Sequence, residues 1–394
     1  MSAPETTEAR PDPVHSPMMQ QWHAAKNAYP DCLLFFRMGD FYELFDDDAV
    51  QAARLLELTL TTRDKDKANG QPMAGVPHHA LPGYMQRLLD LGLKVAVCDQ
   101  IEDPKQAKGI VRRAVTRVVT PGTVLEDAPI EPTANSYLAA VYPGLGGFGL
   151  VYADITTGSL HGTVAKDLAG LAAELFRIEP REVLVPISVE AGVSSAIQRA
   201  AAVATAVPLE SFDPRKHPGA SPEELRRAQA ALTAYIAHTR PRGQVALGEL
   251  ATHAQEAHLV IDETSFRNLE IVKTLVGGRR KGSLLSLLDR TATAMGARQL
   301  RRWLELPLRD RSAIEARLDA VGELKDDALL RDEVRTALGA VYDIERLGGR
   351  LVAELATPKD LAGLRSSIAG LGALRARVLG AQSERLRDLA QGLD

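Results

Sequence analysis

The sequence has 394 residues, 45% of them hydrophobic, which is enough for about two to three domains with buried cores and excludes a disordered chain. Lysine and arginine total 47 against 51 for aspartate and glutamate, so the net charge of −4 excludes a general polyanion binder. No apolar stretch reaches about 20 residues, no secretory signal is recognisable and only two cysteines occur, which predicts a cytoplasmic protein without membrane spans or a disulfide framework.

The first third of the chain predicts a tail followed by a domain of mixed α/β structure. Residues 1–16 are rich in proline, glutamate and threonine and predict a disordered tail. The apolar run at 32–38 predicts a buried strand that ends at a Gly39-Asp40 turn. Three aspartates at 46–48 favour a helix start, because negative charge is stabilising there. The elements predicted after this turn, within a domain at 17–125, are helices at 49–58 and 81–91 and strands at 94–98 and 114–119.

A polar connection at 126–133, with two prolines, predicts a boundary to a second domain. Three strand-like runs with glycine-containing turns, followed by alternating helical and strand-like segments, predict an α/β domain at 134–255. Its predicted elements are strands at 137–142, 148–154, 158–164 and 183–186, and helices at 168–177, 189–201 and 223–238.

Residues 256–394 predict an all-helical region, because strand patterns stop and leucines recur at helical spacing. Pro307, the pair Gly348-Gly349 and Pro358 interrupt this pattern and predict breaks between helices. The helical pattern continues to Leu393 without a closing loop, and we therefore expect the chain to be truncated there.

The sequence contains few motifs for enzymatic catalysis. A phosphate-binding loop of the form G-x-x-x-x-G-K-[ST] does not occur, since the run at 277–283 has its glycines and cations in another order. His78 and His79 are adjacent, so one helix face cannot direct both toward a metal, and we interpret them as turn residues. We predict no catalytic residue and no metal site in this chain.

Asp154 ends a predicted strand and precedes Thr156-Thr157-Gly158. This position is similar to the first acidic residue of a ribonuclease H-like nuclease, but two-metal chemistry needs several converging carboxylates, and no second one stands at a strand end. We favour a structural role in which Asp154 caps the turn before a hairpin. A structure-selective nuclease remains an alternative function.

The run Phe36–Phe45 contains the strongest indication of function. If the chain is extended after the turn, Phe41 and Glu43 point to one side of the strand, and Tyr42 and Leu44 to the other. An exposed phenyl ring beside a carboxylate is suited to unstacking a base step and accepting a hydrogen bond from the exposed base edge. A phenylalanine buried in the core remains the alternative interpretation.

Positive charge is concentrated in the stretch 104–125, which has no acidic residue. Such a stretch makes a local positive field on an acidic protein, although a solvated surface face is equally consistent with it. The cations are Lys105, Lys108, Arg112, Arg113 and Arg117.

Several segments resemble the MutS family of bacterial DNA mismatch repair proteins. The segments 18–21, 33–45 and 72–80 resemble the N-terminal mismatch-recognition domain of that family. The resemblance continues in family order over residues 17–394, in segments at 98–104, 118–123, 268–270 and 296–307.

The resemblance implies a mismatch-recognition domain, a connector domain with a ribonuclease H-like fold but no nuclease activity, and the first part of a helical core or lever domain. Phe41 corresponds to the intercalating phenylalanine of the family, and Glu43 to the glutamate that hydrogen-bonds the mispaired base. The implied ligand is double-stranded DNA with mismatches or small loops. Candidates for contacts with the DNA backbone are Arg63, Lys65, Lys105, Lys108, Arg112 and Arg113, with Lys67 beside the first two.

In the family, the connector domain contacts a MutL-type partner, and the full-length protein is a homodimer that uses ATP and Mg²⁺. The DNA clamp and the ATPase with its phosphate loop are not in these 394 residues, so we expect no ATPase activity and no cofactor here. We expect the protein in the cytoplasm, at the nucleoid. Besides the nuclease, a second alternative is a protein-interaction scaffold in which Phe41 is buried.

Overall fold

The computed structural model describes residues 16–63, 70–102, 109–124, 131–219, 221–241 and 244–393. The chain forms two compact units, with the first boundary in the sequence between Thr123 and Val124. The first unit and the start of the second contain mixed sheets, and an all-helical region follows, as predicted from the sequence. The predicted tail at 1–16 lies outside the described residues except for Ser16, which caps the first helix by accepting a hydrogen bond from the amide of Met19.

The first unit has a six-stranded sheet with the strand order β3-β4-β2-β1-β5-β6. Strand β1 lies in the middle and is antiparallel to β2 and parallel to β5, which explains its nearly continuous apolar sequence. The elements in chain order are α1 (Pro17–Ala28), β1 (Cys32–Met38), β2 (Phe41–Phe45), α2 (Asp46–Leu56), β3 (Thr61–Arg63), β4 (Gln71–Pro77), α3 (Leu81–Asp90), β5 (Lys94–Gln100) and β6 (Arg113–Val119).

Helices cover both faces of this sheet. On one face, Met18, Met19 and Trp22 of α1 form a buried cluster with Phe36 and Phe45. Helices α2 and α3 contact the strands at the opposite face, which presents the other, alternate set of buried side chains. Both cysteines of the chain, one in β1 and one in β5, are buried as free thiols in this unit, and burial raises the pKa of each to about 12.

Strand β4 is an element that the sequence pattern does not predict. Pro72 and Gly75 interrupt its apolar alternation, and both residue types are unfavourable inside a strand. The strand nevertheless pairs with β2 in a continuous antiparallel register from Phe41 opposite Pro77 to Phe45 opposite Met73. Tertiary pairing on both edges of β4 therefore outweighs its weak local propensity.

The second unit begins with another six-stranded sheet, with the order β11-β10-β7-β8-β9-β12. Its first three strands form the predicted antiparallel meander, and β10 and β11 add to it in parallel. The strands are β7 (Tyr137–Gly144), β8 (Gly147–Asp154), β9 (Ser159–Ala165), β10 (Glu182–Pro186), β11 (Val203–Val207) and β12 (Ala251–Thr252), and the helices are α4 (Leu168–Ile178), α5 (Ala191–Arg199) and α6 (Glu223–Thr239).

The remaining residues form the helical region of the second unit. The predicted break at Gly348-Gly349 is wrong, because both glycines lie inside a helix. The helices are α7 (Glu263–Asn268), α8 (Leu284–Leu288), α9 (Ala294–Glu305), α10 (Arg311–Asp326), α11 (Ala328–Gly339), α12 (Ile344–Val352), α13 (Pro358–Val378) and α14 (Glu384–Gln391). None of the helices in the described residues combines the length and the apolar character needed to cross a bilayer.

Arginines of α9 join the helical region to the second sheet and to the segment that precedes it. Arg298 of α9 is 5% exposed, and its guanidinium donates to both carboxylate oxygens of Asp343 at 2.7 and 2.8 Å and to the carbonyl of Pro132 at 2.8 Å. Arg302 donates to the Nε2 atom of His161 in β9 at 3.1 Å. Gly349 of α12 packs directly on the turn after β8. We call these contacts of Arg298, Arg302 and Gly349 the charged joint.

Candidate nucleic-acid interface

Phe41 and Glu43 lie on one side of β2, as the alternation of the sequence predicts. A tight turn precedes them, in which Gly39 has a φ of 58° and the carbonyl of Asp40 accepts a hydrogen bond from the amide of His78 at 2.8 Å. This bond ties the start of β2 to the end of β4. The position of both side chains is therefore fixed by regular strand pairing on both sides of β2.

Phe41 is left outside the core although it shares a face with buried aromatic residues. Four residues further along β2, Phe45 packs against Trp22 of α1 with a ring-centroid distance of 5.8 Å and is fully buried. Glu43 is half-buried between these extremes, and Phe41 is 47% exposed. Among the described Phe, Tyr and Trp residues of the first unit, Phe41 is the only one whose side chain is exposed. Its exposure contradicts the premise of the scaffold alternative, in which this ring is buried.

The opposite side of β2 is anchored by a polar network that the sequence reasoning missed. The phenol of Tyr42 donates to the carboxylate of Asp99 in β5, and the hydroxyl of Thr116 donates to the other oxygen of Asp99 at 2.6 Å. Burial, reinforced by the Asp99 carboxylate, raises the pKa of Tyr42 to about 12, so this phenol stays protonated and donates. The network holds β2 from behind while Phe41 projects forward.

Arg113 lies beside Glu43 but is used within the protein. Its Nε atom donates to the carbonyl of Arg37 at 2.7 Å, its Nη1 atom donates to the carbonyl of Val111 at 2.9 Å, and its guanidinium lies 5.3 Å from the ring centroid of Phe36. Burial lowers the pKa of Arg113, and the nearby Cys98 and Glu43 act in the opposite direction. The side chain that we predicted for a DNA phosphate therefore also orders the sheet next to Glu43.

The structure describes only some of the other residues that we predicted to contact the DNA backbone. Arg112 is exposed, while its backbone amide donates to the carboxylate of Glu102 at 2.6 Å. Arg63 is the last residue of β3, next to a loop beyond the described residues. Lys65, Lys67, Lys105 and Lys108 lie outside the described residues.

The remaining polar candidates have structural positions. His78 and His79 are exposed in a short 3₁₀ turn after β4, which agrees with their interpretation as turn residues. Among the described residues, no group of three or more His, Cys, Asp and Glu side chains is arranged to hold a metal ion.

Asp154 caps the turn between β8 and β9, and the structure confirms this interpretation. Its Oδ1 atom accepts hydrogen bonds from the amide and the hydroxyl of Thr156 at 2.9 and 2.6 Å, and its Oδ2 atom accepts one from the amide of Ser136 at 3.2 Å. The residue is fully buried. Both carboxylate oxygens are thus engaged by the chain itself.

Three family models match this chain in sequence order. They are MutS domain I at residues 16–128, MutS domain II at 136–257 and MutS domain III at 264–393. The chain belongs to the MutS family. The sheet with the exposed Phe41 lies in MutS domain I, and the charged joint connects residues of MutS domains II and III.

Curated relatives of this MutS-family chain carry the name DNA mismatch repair protein MutS. The protein from Brevibacillus brevis is 43% identical over 96% of this chain, that from Symbiobacterium thermophilum 42% over 97%, and that from Anaeromyxobacter sp. 43% over 96%. The alignments cover 44%, 46% and 44% of these three relatives, so the chain spans slightly less than half of their length.

Proposed function

We propose that this MutS-family chain binds duplex DNA at mispaired or unpaired bases by inserting Phe41 from the minor groove and kinking the duplex. The observation that supports this proposal most directly is the 47% exposure of an aromatic ring at the end of a rigidly paired strand, with a carboxylate two residues away on the same face. Exposing a phenyl ring is unfavourable in water, and contact with an unstacked base step removes it from solvent.

The mechanism uses the weakness of the DNA at the mispair. Bending a short site smoothly costs on the order of 1–6 kcal/mol, and unstacking a base step costs a few kcal/mol more. A mispair reduces both costs, because stacking and pairing are already weakened there. A protein that binds only kinked DNA therefore prefers this position without reading the sequence.

Glu43 supplies the polar part of the recognition. Its carboxylate accepts a hydrogen bond from the edge of the displaced base that Phe41 exposes. Against intact duplex, where no such donor is available, the same negative charge is repelled by the phosphates. The Arg113 guanidinium beside Glu43 fixes the sheet at this point.

Contacts with phosphates position the protein without selecting a sequence. We assign these contacts to exposed Arg112 and to Arg63, Lys65, Lys105 and Lys108. Arg113 contributes with the N–H groups of its guanidinium that do not donate to the carbonyls of Arg37 and Val111. Because the net charge of the chain is −4, the whole protein does not attract phosphates, and such contacts depend on local clusters of cations.

The remaining properties of the family are a protein partner, dimerisation and the use of a nucleotide. We propose that MutS domain II contacts a MutL-type partner, and that the homodimer and the use of ATP and Mg²⁺ require segments beyond those matched here. The chain itself then binds DNA without nucleotide and hydrolyses none. Its place of action is the cytoplasm, at the nucleoid.

A titration of the chain with homoduplex and single-mispair DNA at two salt concentrations tests the proposal. Phe41→Ala is expected to lower the affinity for the mispaired duplex roughly 10- to 100-fold, because stacking of a base on an aromatic ring contributes about 1–3 kcal/mol. Its affinity for homoduplex should change little, since phosphate contacts remain.

Val50→Ala is the matched control, because Val50 on α2 is also 47% exposed and lies outside the β2 strand. This variant is expected to bind both duplexes like the unmodified chain. Retention of the mispair preference by Phe41→Ala would contradict the insertion of this ring.

A further inference from the structure

One glycine on the face that carries Phe41 is not required by any contact or backbone angle among the residues that the structure describes. Gly75 lies in β4 directly opposite Glu43 and is exposed. Its φ is not in the left-handed region that favours glycine, and the register between β2 and β4 continues through it without a bulge. The backbone at this position is one that any residue can adopt.

Space does not require a glycine there either. A Cβ atom built on Gly75 would lie 3.4 Å from the carbonyl oxygen of Tyr42, 3.7 Å from Cγ of Glu43 and 3.9 Å from Cδ1 of Phe41, which are ordinary van der Waals distances. Glycine inside a strand weakens it, because it loses more conformational freedom on folding and offers no side chain to pack. The fold alone would therefore be better served by a larger residue.

Regular strands contain such a glycine where another molecule approaches the backbone closely. On the face of β4 that Gly75 shares with Met73 and Pro77, the missing side chain leaves a notch beside Phe41 and Glu43. We call Phe41, Glu43 and Gly75 the β2–β4 face. The notch lies within a Cβ contact distance of both proposed recognition residues.

We propose that Gly75 is a positioning residue that admits the deoxyribose wall of the DNA minor groove to the backbone of β4, so that Phe41 can reach its full depth in the unstacked step. This inference rests on the proposed function and adds a steric requirement to it. The minor groove is only about 6 Å wide, so a protein surface that enters it must be thin next to the inserted ring. A side chain at position 75 would meet the groove wall first and hold Phe41 back.

The test combines Gly75→Ala and Gly75→Val with the control Gly83→Ala. Gly83 is an exposed glycine of α3 in the same domain, and a Cβ atom there would meet nothing within 4 Å. All three variants are expected to melt at the parental temperature or above it, because each replaces a conformationally free residue in a regular element. Gly83→Ala should bind DNA as the parent does.

The two variants at Gly75 should lose affinity for mispaired duplex in order of size. For Gly75→Val we expect a loss of roughly tenfold or more, as for methyl groups forced into a close-packed contact. A fluorescent adenine analogue next to the mispair should also show less unstacking with Gly75→Val bound than with the parent chain bound. A purely structural glycine would instead lower the melting temperature when replaced.

The possible outcomes separate this inference from the function on which it rests. If Phe41→Ala loses the mispair preference but Gly75→Val retains the parental affinity and unstacking signal, the positioning role is overturned and the insertion of Phe41 stands. If Phe41→Ala keeps the preference, or the parent chain binds no DNA, both are overturned. A lowered melting temperature of Gly75→Ala overturns the positioning role by showing that the fold requires the glycine.

Discussion

The β2–β4 face and the charged joint each contain a side chain in an unfavourable environment: an exposed phenyl ring in the face and a buried guanidinium in the joint. They differ in whether other groups of the chain offset the cost of that environment. In the joint, the buried guanidinium of Arg298 receives its compensation inside the chain, from Asp343, Glu345 and the carbonyl of Pro132. On the β2–β4 face, the ring of Phe41 remains 47% exposed to solvent.

This difference separates structural from functional use of unfavourable placements. An unfavourable group that the fold itself satisfies indicates a structural device, as buried ion pairs do when their hydrogen bonds are complete. A single exposed apolar side chain is common and has no such meaning, but an exposed ring grouped with a carboxylate and a glycine notch on one paired strand face is a candidate contact surface for a partner outside the chain. Substitutions in the joint should therefore change the free energy of unfolding, and substitutions on the β2–β4 face should change DNA binding.

The largest effect is expected in the joint, from Arg298→Met. This change leaves the carboxylate of Asp343 without its bidentate donor and should lower the free energy of unfolding by about 3 kcal/mol, as for other broken buried pairs. Urea denaturation of both proteins measures it. Arg311→Met is the control, because its pair with Glu315 is exposed and should contribute at most about 1 kcal/mol. Equal effects of the two changes would show that the joint is no stronger than a surface pair.

A smaller effect is expected from Gly349→Ala, also in the joint. The new Cβ atom would lie 2.5 Å from the carbonyl oxygen of Thr156, so α12 must shift away from the turn, at a cost of about 2 kcal/mol. The adjacent Gly348→Ala meets nothing within 4 Å and should stabilise the helix by about 0.5–1 kcal/mol. Thermal melting of the two variants should therefore give shifts of opposite sign. Shifts of the same sign would show that Gly349 is no more tightly packed than the open position of Gly348.

The smallest effect is a pH dependence at His161. Burial is the main cause that lowers the pKa of His161 to about 3 in the folded protein, and the nearby Arg302 and His253 act in the same direction. Between pH 6.5 and 3 the unfolded chain binds a proton that the folded chain does not, so stability falls as the pH falls. We expect a loss of about 1 kcal/mol from pH 7 to pH 5.5 from this group.

His161→Gln should reduce this loss, measured as the difference in urea midpoint between the two pH values. The range from pH 7 to pH 5.5 lies above the pH at which the buried carboxylate of Glu174, with a pKa of about 2, begins to change the stability. Exposed His79 provides the control through His79→Gln, which should keep the parental pH dependence. An unchanged slope in His161→Gln would show that the joint tolerates a proton at this imidazole.

Sequence reasoning was most successful where one local pattern decides the structure. The strand at 32–38 and the helices of the second unit follow from their apolar patterns, and the placement of Phe41 and Glu43 on one side of β2 follows from strand alternation. The capping role of Asp154 follows from its turn chemistry.

The sequence failed where long-range contacts overrule local preference. Strand β4 forms despite Pro72 and Gly75 because it is paired on both edges, and Gly348-Gly349 continues a helix because α12 packs on the second sheet. The network from Tyr42 to Asp99 spans 57 positions, and no spacing rule connects them. For Arg113, composition indicates a cation but cannot show that its donors face carbonyl groups of its own domain.

The buried state of Cys32 and Cys98 has a practical consequence for measuring these effects. With pKa values of about 12, both thiols contain almost no thiolate at neutral pH, and thiolate is the form that reacts with maleimides and oxidants. A single cysteine introduced at an exposed position such as Val50 can therefore be labelled selectively in the folded protein. Dyes or spin probes can report distances to DNA without first removing the natural sulfur atoms.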